Sequence, residues 1–305
     1  MNVLINHYDL DGVASSIILH QGMKFDKVFK GGYNRFDGFI EKLPSGCNLV
    51  IADCAFTVDQ YVQAKQKAKR IIFIDHHPES ANIEAMYTSD IVVYDGSKAA
   101  SRLCLDFIGA KKELTKEFKV LGMAANAYDL YERDGQPEWF NLGYDLNILF
   151  WEYHYDKFFE RFKYGFERFT NEEKTFIKGF KQKRDNDIDE SVFIELGEGT
   201  KGLVCIPKTT SIMNDIPHRK KGYDVYYIIM QYPGQTSVSI RTTGLDIQPF
   251  LRSIKMNQFV KSAGGHPNAA AINFHGVPDH SALVQVIDEV QRNIDSPFDP
   301  EDVPF

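Results

Sequence analysis

The amino-acid sequence predicts an α/β fold, with a doubly wound, mainly parallel sheet in the first half and a smaller α/β domain in the second. In the first half, short apolar runs alternate with segments of helical periodicity, which is the pattern of buried parallel strands and their crossover helices. Several of these runs end on motifs rich in aspartate and histidine. In the second half, strand patterns lead to an amphipathic helix near the C-terminus.

The first half contains four predicted strands. Each is a short apolar run, and most are followed by a segment in which apolar residues recur at helical spacing. The strands are predicted at 3–6, 49–52, 70–74 and 91–94, with helices at 12–20 and 58–68 and helical patterns from 97 to 184.

The second half begins after the highly charged segment QKRDNDIDES at 182–191. This segment lacks apolar anchors, so it is interpreted as a linker or as the end of a linking helix. The predicted organisation is a first domain at 1–181, the linker, a second domain at 192–294 and an acidic tail at 295–305. Within the second domain, strands are predicted at 203–206, 225–230, 238–241 and 269–274, and helices at 246–253 and 279–293.

Composition restricts the function classes. The 305 residues are 43% hydrophobic and 25% charged, as in a globular protein. A net charge of −7 argues against a surface that coats duplex DNA without sequence preference. No apolar run approaches the roughly 20 residues of a membrane span and no signal peptide is recognised, so we expect no membrane partner and a cytoplasmic location. The four scattered cysteines, Cys47, Cys54, Cys104 and Cys205, are predicted to be buried free thiols.

Acidic and histidine side chains follow three of the predicted strands. The first strand leads into His7-Tyr8-Asp9-Leu10-Asp11-Gly12, the second ends at Asp53, and the third ends in Asp75-His76-His77. Ligands bind at the carboxyl ends of strands in open α/β sheets. Carboxylates gathered there would repel one another unless cations neutralise them, and a mixed carboxylate and imidazole set favours Mn²⁺ or Mg²⁺ over Zn²⁺. The alternative for any single aspartate is a helix cap or a turn residue.

These motifs carry a resemblance. The run His-x-Asp-x-Asp-Gly, a later strand-terminal Asp53 and the triplet Asp75-His76-His77 resemble the signature of the DHH phosphoesterase superfamily. RecJ-like exonucleases, oligoribonucleases and cyclic-dinucleotide phosphodiesterases belong to it. The segments 238–241 (VSIR) and 264–270 (GGHPNAA) resemble the substrate-binding domain of the same superfamily. The resemblance therefore extends over nearly the whole chain.

The resemblance implies roles for individual residues of the first domain. Asp9, Asp11, Asp53 and His76 match ligands of two metal ions, with Asp53 as the bridge between them. His77 matches a residue that contacts the reacting phosphate or its water. His7 is also a candidate ligand, although some members place this histidine four residues before the first aspartate, where this chain has Ile5. The last ligand is expected from a later helix, with Asp129 as the best match and Asp134 as the rival.

The resemblance also implies substrate-binding residues. Arg241 and His266 would donate hydrogen bonds to phosphate, and Gly264 and Gly265 would let the backbone approach an anion closely. The alternative is a plain turn beside a surface charge. Ser97, in a segment that matches a family position, is predicted to cap a helix. The alternative for Ser97 is phosphate binding at that helix N-terminus.

Two features are open to two interpretations each. An aromatic row recurs at helical spacing, which is typical of a core face, although aromatics among basic residues can also hold single strands. The C-terminal segment 298–305 (FDPEDVPF) resembles the acidic tip of bacterial single-stranded-DNA-binding proteins. It would bind a replication or repair protein that reads such tips, unless it is a solvated terminus. The aromatic row comprises Trp151, Tyr155, Phe158, Phe162, Phe166 and Phe169.

The function predicted from these features is a two-metal phosphodiesterase or exonuclease. It would hydrolyse short or single-stranded nucleic acid to 5′-mononucleotides, with two Mn²⁺ or Mg²⁺ ions about 4 Å apart sharing one carboxylate. The alternatives within the same chemistry are a cyclic-dinucleotide phosphodiesterase, a nucleotide phosphatase and a polyphosphatase. The alternative outside it is a replication or repair accessory protein that binds but does not cleave, against which the intact set of metal ligands argues.

Overall fold

The chain separates into two compact units, Met1–Ile177 and Lys178–Phe305. In the computed structural model, the described residues are 1–86, 90–132, 135–196, 199–209, 212–252, 254–266 and 268–295. Asp134, the side chain of His266 and residues 296–305 of the predicted tail lie outside the described residues.

The first unit is built on a five-stranded parallel sheet, which confirms the predicted fold class. The strand order is β2-β1-β3-β4-β5, and every neighbouring pair is parallel. The edge strand β2 was not predicted, because its sequence Lys27-Val28-Phe29-Lys30 is short and only half buried. The strands are β1 (Asn2–Asn6), β2 (Lys27–Lys30), β3 (Cys47–Ala52), β4 (Ala68–Asp75) and β5 (Ile91–Tyr94).

Helices surround this sheet. Helix α1 is buried over its whole length, because it contacts α5, α6 and α7 as well as the sheet. Helix α3 begins with a capping box, in which Thr57 and Gln60 exchange side-chain and backbone hydrogen bonds. The helices are α1 (Leu10–Leu19), α2 (Phe36–Glu41), α3 (Val58–Lys67), α4 (Ser80–Met86), α5 (Ala100–Gly109), α6 (Lys116–Asp129), α7 (Pro137–Phe162) and α8 (Asn171–Asp189), the last of which contains the boundary between the units.

The prediction that Ser97 caps a helix is wrong. Helix α5 begins at Ala100, and its N-cap residue is Ala99. The Ser97 hydroxyl instead donates to Asp95 Oδ1 at 2.6 Å, and the Ser97 N–H donates to the same oxygen at 2.9 Å. Asp95 therefore closes a local turn after β5, and Ser97 is used within that turn.

The aromatic row is interrupted by a kink in α7 at His154, where φ is 57°. Tyr155, Phe158, Phe162 and Phe166 are buried, which confirms the core interpretation for these four. Trp151 lies before the kink, and 54% of its surface is exposed, so the core interpretation is wrong for this residue.

The second unit is a six-stranded mixed sheet of order β10-β11-β9-β8-β7-β6. Its amphipathic helix α10 contributes Val286, Ile287 and Val290 to the core of this unit. The helix predicted at 246–253 is wrong, because the described residues 246–252 form only a 3₁₀ turn, Pro249–Leu251, and Pro249 lacks a backbone N–H. The elements are β6 (Val192–Leu196), β7 (Gly202–Ile206), α9 (Ile216–Arg219), β8 (Val225–Tyr232), β9 (Gln235–Thr242), β10 (Val260–His266), β11 (Ala269–Phe274) and α10 (His280–Asp295).

All four cysteines are buried and free, as predicted. Among the described residues, no helix has both the length and the apolar character that crossing a membrane requires.

The packing of α6 against α7 depends on Gly143, and α6 ends at Asp129, a candidate ligand. A Cβ atom at Gly143 would lie 2.1 Å from the Ala124 carbonyl oxygen and 2.7 Å from Tyr128 Cβ. The two helices can therefore approach this closely only because position 143 has no side chain.

We expect the substitution Gly143→Ala to lower the free energy of unfolding by about 1–3 kcal/mol, because the added methyl group must push α6 away from α7. Denaturant unfolding measures the change. The control is Gly38→Ala in α2, where the described residues leave the Cβ position open, and it should be neutral or stabilising by up to about 1 kcal/mol. Equal stability of the two variants would contradict the close-packing role of Gly143.

Candidate metal centre and phosphate-binding residues

Three parallel strands bring the candidate ligands to one edge of the first sheet. Asn6, Ala52 and Ile74 are paired across β1, β3 and β4. The residues that follow them, namely His7, Asp53 and Asp75, therefore leave the sheet at the same level. The predicted convergence at this edge is present in the structure.

The ligand atoms form three overlapping groups that could each hold a metal ion. Within each group, one atom from every member lies within 4.8 Å of the others. Asp53 belongs to two groups and so does His76, so the three groups form one continuous cluster. The groups are His7, Asp9 and Asp53; Asp11, His76 and Asp129; and Asp53, Asp75, His76 and His77.

Asp53 is the central residue of this cluster. It directly follows β3, its N–H donates to the Ile74 carbonyl at 3.0 Å, and its φ is 58°, an unusual value for a residue other than glycine. Its side chain is 2% exposed, and Oδ1 lies 3.5 Å from His76 Nε2. Oδ2 is buried and accepts no hydrogen bond from any described residue. Burial, together with the charges of Asp9 and Asp11, raises the pKa of Asp53 well above its usual range.

Asp11 is similarly buried and only half satisfied. Its Oδ1 accepts a hydrogen bond from the Ser101 N–H at 3.0 Å, whereas Oδ2 has no partner among the described residues. Burial raises the pKa of Asp11 to about 7, and the charge of Asp9 contributes to this shift. Because buried polar atoms are normally satisfied, the unpartnered oxygens of Asp11 and Asp53 fit a divalent cation.

Asp9 combines two roles that the sequence presented as alternatives. It is the N-cap of α1, because Oδ1 accepts from the Gly12 N–H at 2.8 Å. Its other oxygen lies 2.6 Å from His7 Nδ1. Burial opposes ionisation, but the hydrogen bond with His7 outweighs it and lowers the pKa of Asp9 to about 2. The same carboxylate can therefore cap the helix and face the cluster.

Gly12 allows α1 to start this close to the cluster. A Cβ atom at position 12 would lie 2.2 Å from the His7 carbonyl oxygen and 3.3 Å from Asp53 Oδ2. Any side chain would move either the end of β1 or the Asp53 carboxylate. Glycine is therefore required at position 12 by this close approach, in addition to any preference of a turn for glycine.

His77 is oriented by a buried carboxylate. Its Nδ1 lies 2.9 Å from Asp75 Oδ1, and the other oxygen of Asp75 accepts from the Ser80 hydroxyl. Burial disfavours protonation, but the hydrogen bond and charge of Asp75 outweigh it and raise the pKa of His77 to about 9. At the opposite edge of the ring, Nε2 lies 3.0 Å from the Tyr33 hydroxyl.

Tyr33 is a site residue that the sequence interpretation missed. It follows the unpredicted strand β2, and its ring also lies against His7, with 4.9 Å between ring centroids. The available signal was Gly31-Gly32 after the apolar pair Val28-Phe29, which would have indicated one more strand ending at the same edge. Asp75 is part of the Asp75-His76-His77 motif, but the motif by itself indicates no separate role for this residue.

The predicted residues of the second unit lie side by side on three strands. Arg241 on β9 is paired with Ala269 on β11, which is paired with His266 on β10. The Arg241 guanidinium donates to Asn214 Oδ1 at 2.8 Å and to Ser239 Oγ at 2.7 Å. These two contacts fix the guanidinium before any ligand is bound.

The glycine pair lies in strand β10 rather than in a turn or an open loop. Gly264 and Gly265 are paired with Ala271 and Ala270 of β11. Gly265 has a φ of 146°, and a Cβ atom there would lie 2.4 Å from the Ala269 carbonyl oxygen. Glycine is therefore required at position 265 by the β10–β11 hairpin itself. Whether the pair also binds an anion stays a prediction.

Comparison with known families assigns the first unit. Residues 2–127 match the model described as the DHH family, N-terminal domain. Residues 2–127 of the first unit therefore form a DHH-family domain, which confirms the resemblance predicted from the motifs. A search of curated protein sequences finds no match.

Solved structures with low sequence identity share the fold. RecJ in complex with Mn²⁺ from Thermus thermophilus is 14% identical, with a TM-score of 0.62. The match covers 98% of this chain but only 52% of the RecJ chain. A pGpG-specific phosphodiesterase, PggH from Vibrio cholerae, is 11% identical, with a TM-score of 0.56. The match covers 97% of this chain and 100% of the PggH chain. An exonuclease RecJ bound to manganese is 14% identical, with a TM-score of 0.53. The match covers 99% of this chain and 92% of that RecJ chain.

The cluster predicts a stability response that does not depend on activity. In the absence of metal, we expect Asp53→Asn to raise the thermal unfolding midpoint, because it removes a carboxyl group whose ionisation is opposed by burial and by the charges of Asp9 and Asp11. Asparagine also tolerates the positive φ. The rise should be about 2–4 °C for each kcal/mol of repulsion removed. Addition of Mn²⁺ should stabilise the unsubstituted protein and stabilise the variant much less.

The control for this measurement is Asp59→Asn, which removes an exposed carboxylate in the first turn of α3. It should leave the Mn²⁺ response intact. An Asp53→Asn protein that is less stable without metal and keeps the full Mn²⁺ response would contradict a cation site at Asp53.

Proposed function

We propose that the protein is a metal-dependent phosphoesterase that hydrolyses phosphodiester bonds in short or single-stranded nucleic acid. The observation that carries the proposal is the cluster at the sheet edge, in which buried Asp11 and Asp53 each keep one oxygen without a partner among the described residues. Membership of the first unit in the DHH family supports the phosphoesterase class.

The donor set fits Mn²⁺ or Mg²⁺. It combines carboxylate and imidazole groups, and the described residues of the cluster include no thiolate ligand. We propose that the cluster would hold two ions and that Asp53 would contribute to both, because Asp53 belongs to more than one group. Such ions act as Lewis acids toward phosphate oxygens and acidify a water. The proposed ligands are His7, Asp9, Asp11, Asp53, His76 and Asp129.

His77 and Tyr33 would act on the substrate phosphate. Asp75 fixes the orientation of the His77 ring by its contact with Nδ1. His77 Nε2 and the Tyr33 hydroxyl therefore lie next to each other, where each could donate a hydrogen bond to a ligand. A phosphate oxygen that replaced their mutual contact could accept hydrogen bonds from both. Donors held in position before the reaction stabilise developing negative charge without rearrangement.

Arg241 is the proposed phosphate-binding residue of the second unit. A guanidinium recognises phosphate with two parallel hydrogen bonds, and Asn214 and Ser239 already restrict its orientation. His266, Gly264 and Gly265 are proposed to act beside it. Ser97 keeps the proposed role of approaching a phosphate near the start of α5, although the described contacts of its hydroxyl are within its own turn.

A second candidate substrate is a dinucleotide such as pGpG. The similar pGpG-specific phosphodiesterase has nearly the same chain length, since the match covers 97% of this chain and 100% of that one. Cleavage of the dinucleotide in preference to longer strands would favour this candidate. A cytoplasmic location and recruitment by a tip-reading replication or repair protein through 295–305 stay predictions from the sequence.

We expect a chelator to abolish hydrolysis of a labelled oligonucleotide and Mn²⁺ to restore it, because the carboxylates alone repel a phosphate. Asp53→Ala should reduce kcat/KM by more than the roughly 10–100-fold that is typical when a residue merely supporting a ligand is lost. Asp59→Ala is the control and should retain activity. Near-normal turnover of the Asp53→Ala protein would contradict a mechanism that depends on metal ions held by Asp53.

Arg241→Lys should raise the KM for oligonucleotides by roughly 10-fold or more, because lysine cannot make the two parallel hydrogen bonds. Cleavage of a small chromogenic phosphodiester should change much less, since the metal centre is intact. The matched control is Arg252→Lys, at an exposed arginine of the same unit. If Arg241→Lys impairs both substrates equally, the proposed division of roles between the units is wrong.

A further inference from the structure

Trp151 presents a large aromatic surface to solvent, whereas the next four members of its row, Tyr155, Phe158, Phe162 and Phe166, are buried. Its exposed fraction is 54%, whereas Tyr155 is 3% and Phe158 is 0% exposed. One exposed aromatic residue is ordinary by itself. Trp151, however, is held by two other rings, Phe150 at 5.2 Å and Tyr8 at 6.4 Å between centroids.

Tyr8 connects this surface to the candidate metal centre. It lies between His7 and Asp9, whose side chains belong to the cluster. Consecutive Cα atoms are about 3.8 Å apart, so the Tyr8 backbone lies one residue from two candidate ligands. The Tyr8 ring also packs on Phe150 and Tyr155, with centroid distances of 5.5 and 6.0 Å. The half-buried Tyr8 and the exposed Trp151 therefore form one aromatic surface next to Asp9.

A strained backbone holds this surface in place. His154 has φ 57° and ψ 174° inside α7, a conformation that a residue other than glycine rarely adopts. In a regular helix, the Tyr155 N–H would donate to the Trp151 carbonyl. It donates instead to the Tyr8 hydroxyl, at 3.5 Å. The kink thus couples the helical segment that carries Trp151 to the end of β1.

The Tyr155 side chain anchors the other side of the kink. Its hydroxyl accepts a hydrogen bond from Asn6 Nδ2 at 2.8 Å, and the same nitrogen donates to the Gly12 carbonyl at 2.7 Å. Both contacts are buried and lead to the residues that flank the His7–Asp11 motif. The position of Trp151 relative to Asp9 is therefore fixed by the fold and not by the Trp151 side chain alone.

We propose that Tyr8 and Trp151 form a stacking surface for a nucleobase adjacent to the phosphate at the metal centre. The inference rests on the proposed function, and it assigns the base-binding contact of that site. Every base has a π-face, so stacking tolerates all sequences and suits an enzyme that acts on single-stranded substrates. The exposed face of Trp151 supplies most of the contact, and Tyr8 supports it from the side of the metal centre.

The kinetic test compares a tetranucleotide with the same tetranucleotide lacking its bases. Loss of one stacked base reduces binding by about 1–3 kcal/mol, so Trp151→Ala should raise the KM for the tetranucleotide roughly 5- to 140-fold. The KM for the abasic strand should be nearly unchanged, and Trp151→Phe should recover most of the loss. The control Tyr164→Ala removes an aromatic residue that is 78% exposed just after α7, and it should change neither KM.

A binding measurement tests the inference without turnover. Trp139 and Trp151 are the only tryptophans in the chain, so Trp139→Phe leaves Trp151 as the single tryptophan fluorophore. With Mg²⁺ present, a 5′-mononucleotide should quench its fluorescence, whereas ribose 5-phosphate should not. Neither ligand contains a phosphodiester bond, so this result stands even if the protein proves inactive on phosphodiesters.

The outcomes separate the two hypotheses. If Trp151→Ala impairs the normal and abasic strands equally, or if ribose 5-phosphate quenches as strongly as the nucleotide, the stacking surface is wrong while the phosphoesterase proposal stands. If the unsubstituted protein cleaves no phosphodiester but the fluorescence of the Trp139→Phe variant responds to the base, the proposed function fails and the stacking surface stands. Quenching by neither ligand, with no KM effect, means that Trp151 serves another partner and overturns the inference.

Discussion

The repulsion among clustered carboxylates is the constraint on which the first unit depends. Asp9, Asp11, Asp53 and Asp75 are brought to one sheet edge by parallel pairing, and each must be compensated separately. Asp9 is compensated by His7 and the start of α1, and Asp75 by His77 and Ser80. Asp11 and Asp53 lack full compensation from the described residues. The uncompensated carboxyl groups would favour the binding of a cation.

The same constraint explains why the motifs contain more than ligands. Gly12 is needed because α1 starts against the end of β1, and Ser80 is needed because Asp75 is fully buried. Asp53 adopts a positive φ directly after its strand. Such departures from ordinary local preferences persist where the surrounding structure fixes them, and they concentrate at functional sites.

The sequence predicted the parallel sheet and its ligand edge because those signals are local. Runs such as Ile71-Ile72-Phe73-Ile74 are unmistakable buried strands, and a polar motif directly after one points to the edge. Strand β2 was missed because half-exposed edge strands carry a weak pattern, and Tyr33 was missed with it. Strand β10 was missed because Gly264-Gly265 disfavours a strand, and only pairing with β11 imposes one. The kink at His154 was missed because no proline or glycine lies beside this residue to indicate a break in the helix.

The ends of two helices make the cluster electrostatically uneven. Asp9 and Asp11 lie at the start of α1, where the helix dipole places positive partial charge, whereas Asp129 is the last residue of α6, where that partial charge is negative. The dipole of α1 therefore offsets part of the negative charge at Asp9, and the dipole of α6 adds to it at Asp129. A cation held by Asp11, His76 and Asp129 would experience the dipoles of both helices, because Asp11 also lies at the start of α1, whereas one held by His7, Asp9 and Asp53 would experience mainly the dipole of α1. Two ions bound here would consequently differ in affinity, so that loading of the centre would proceed in order rather than at random.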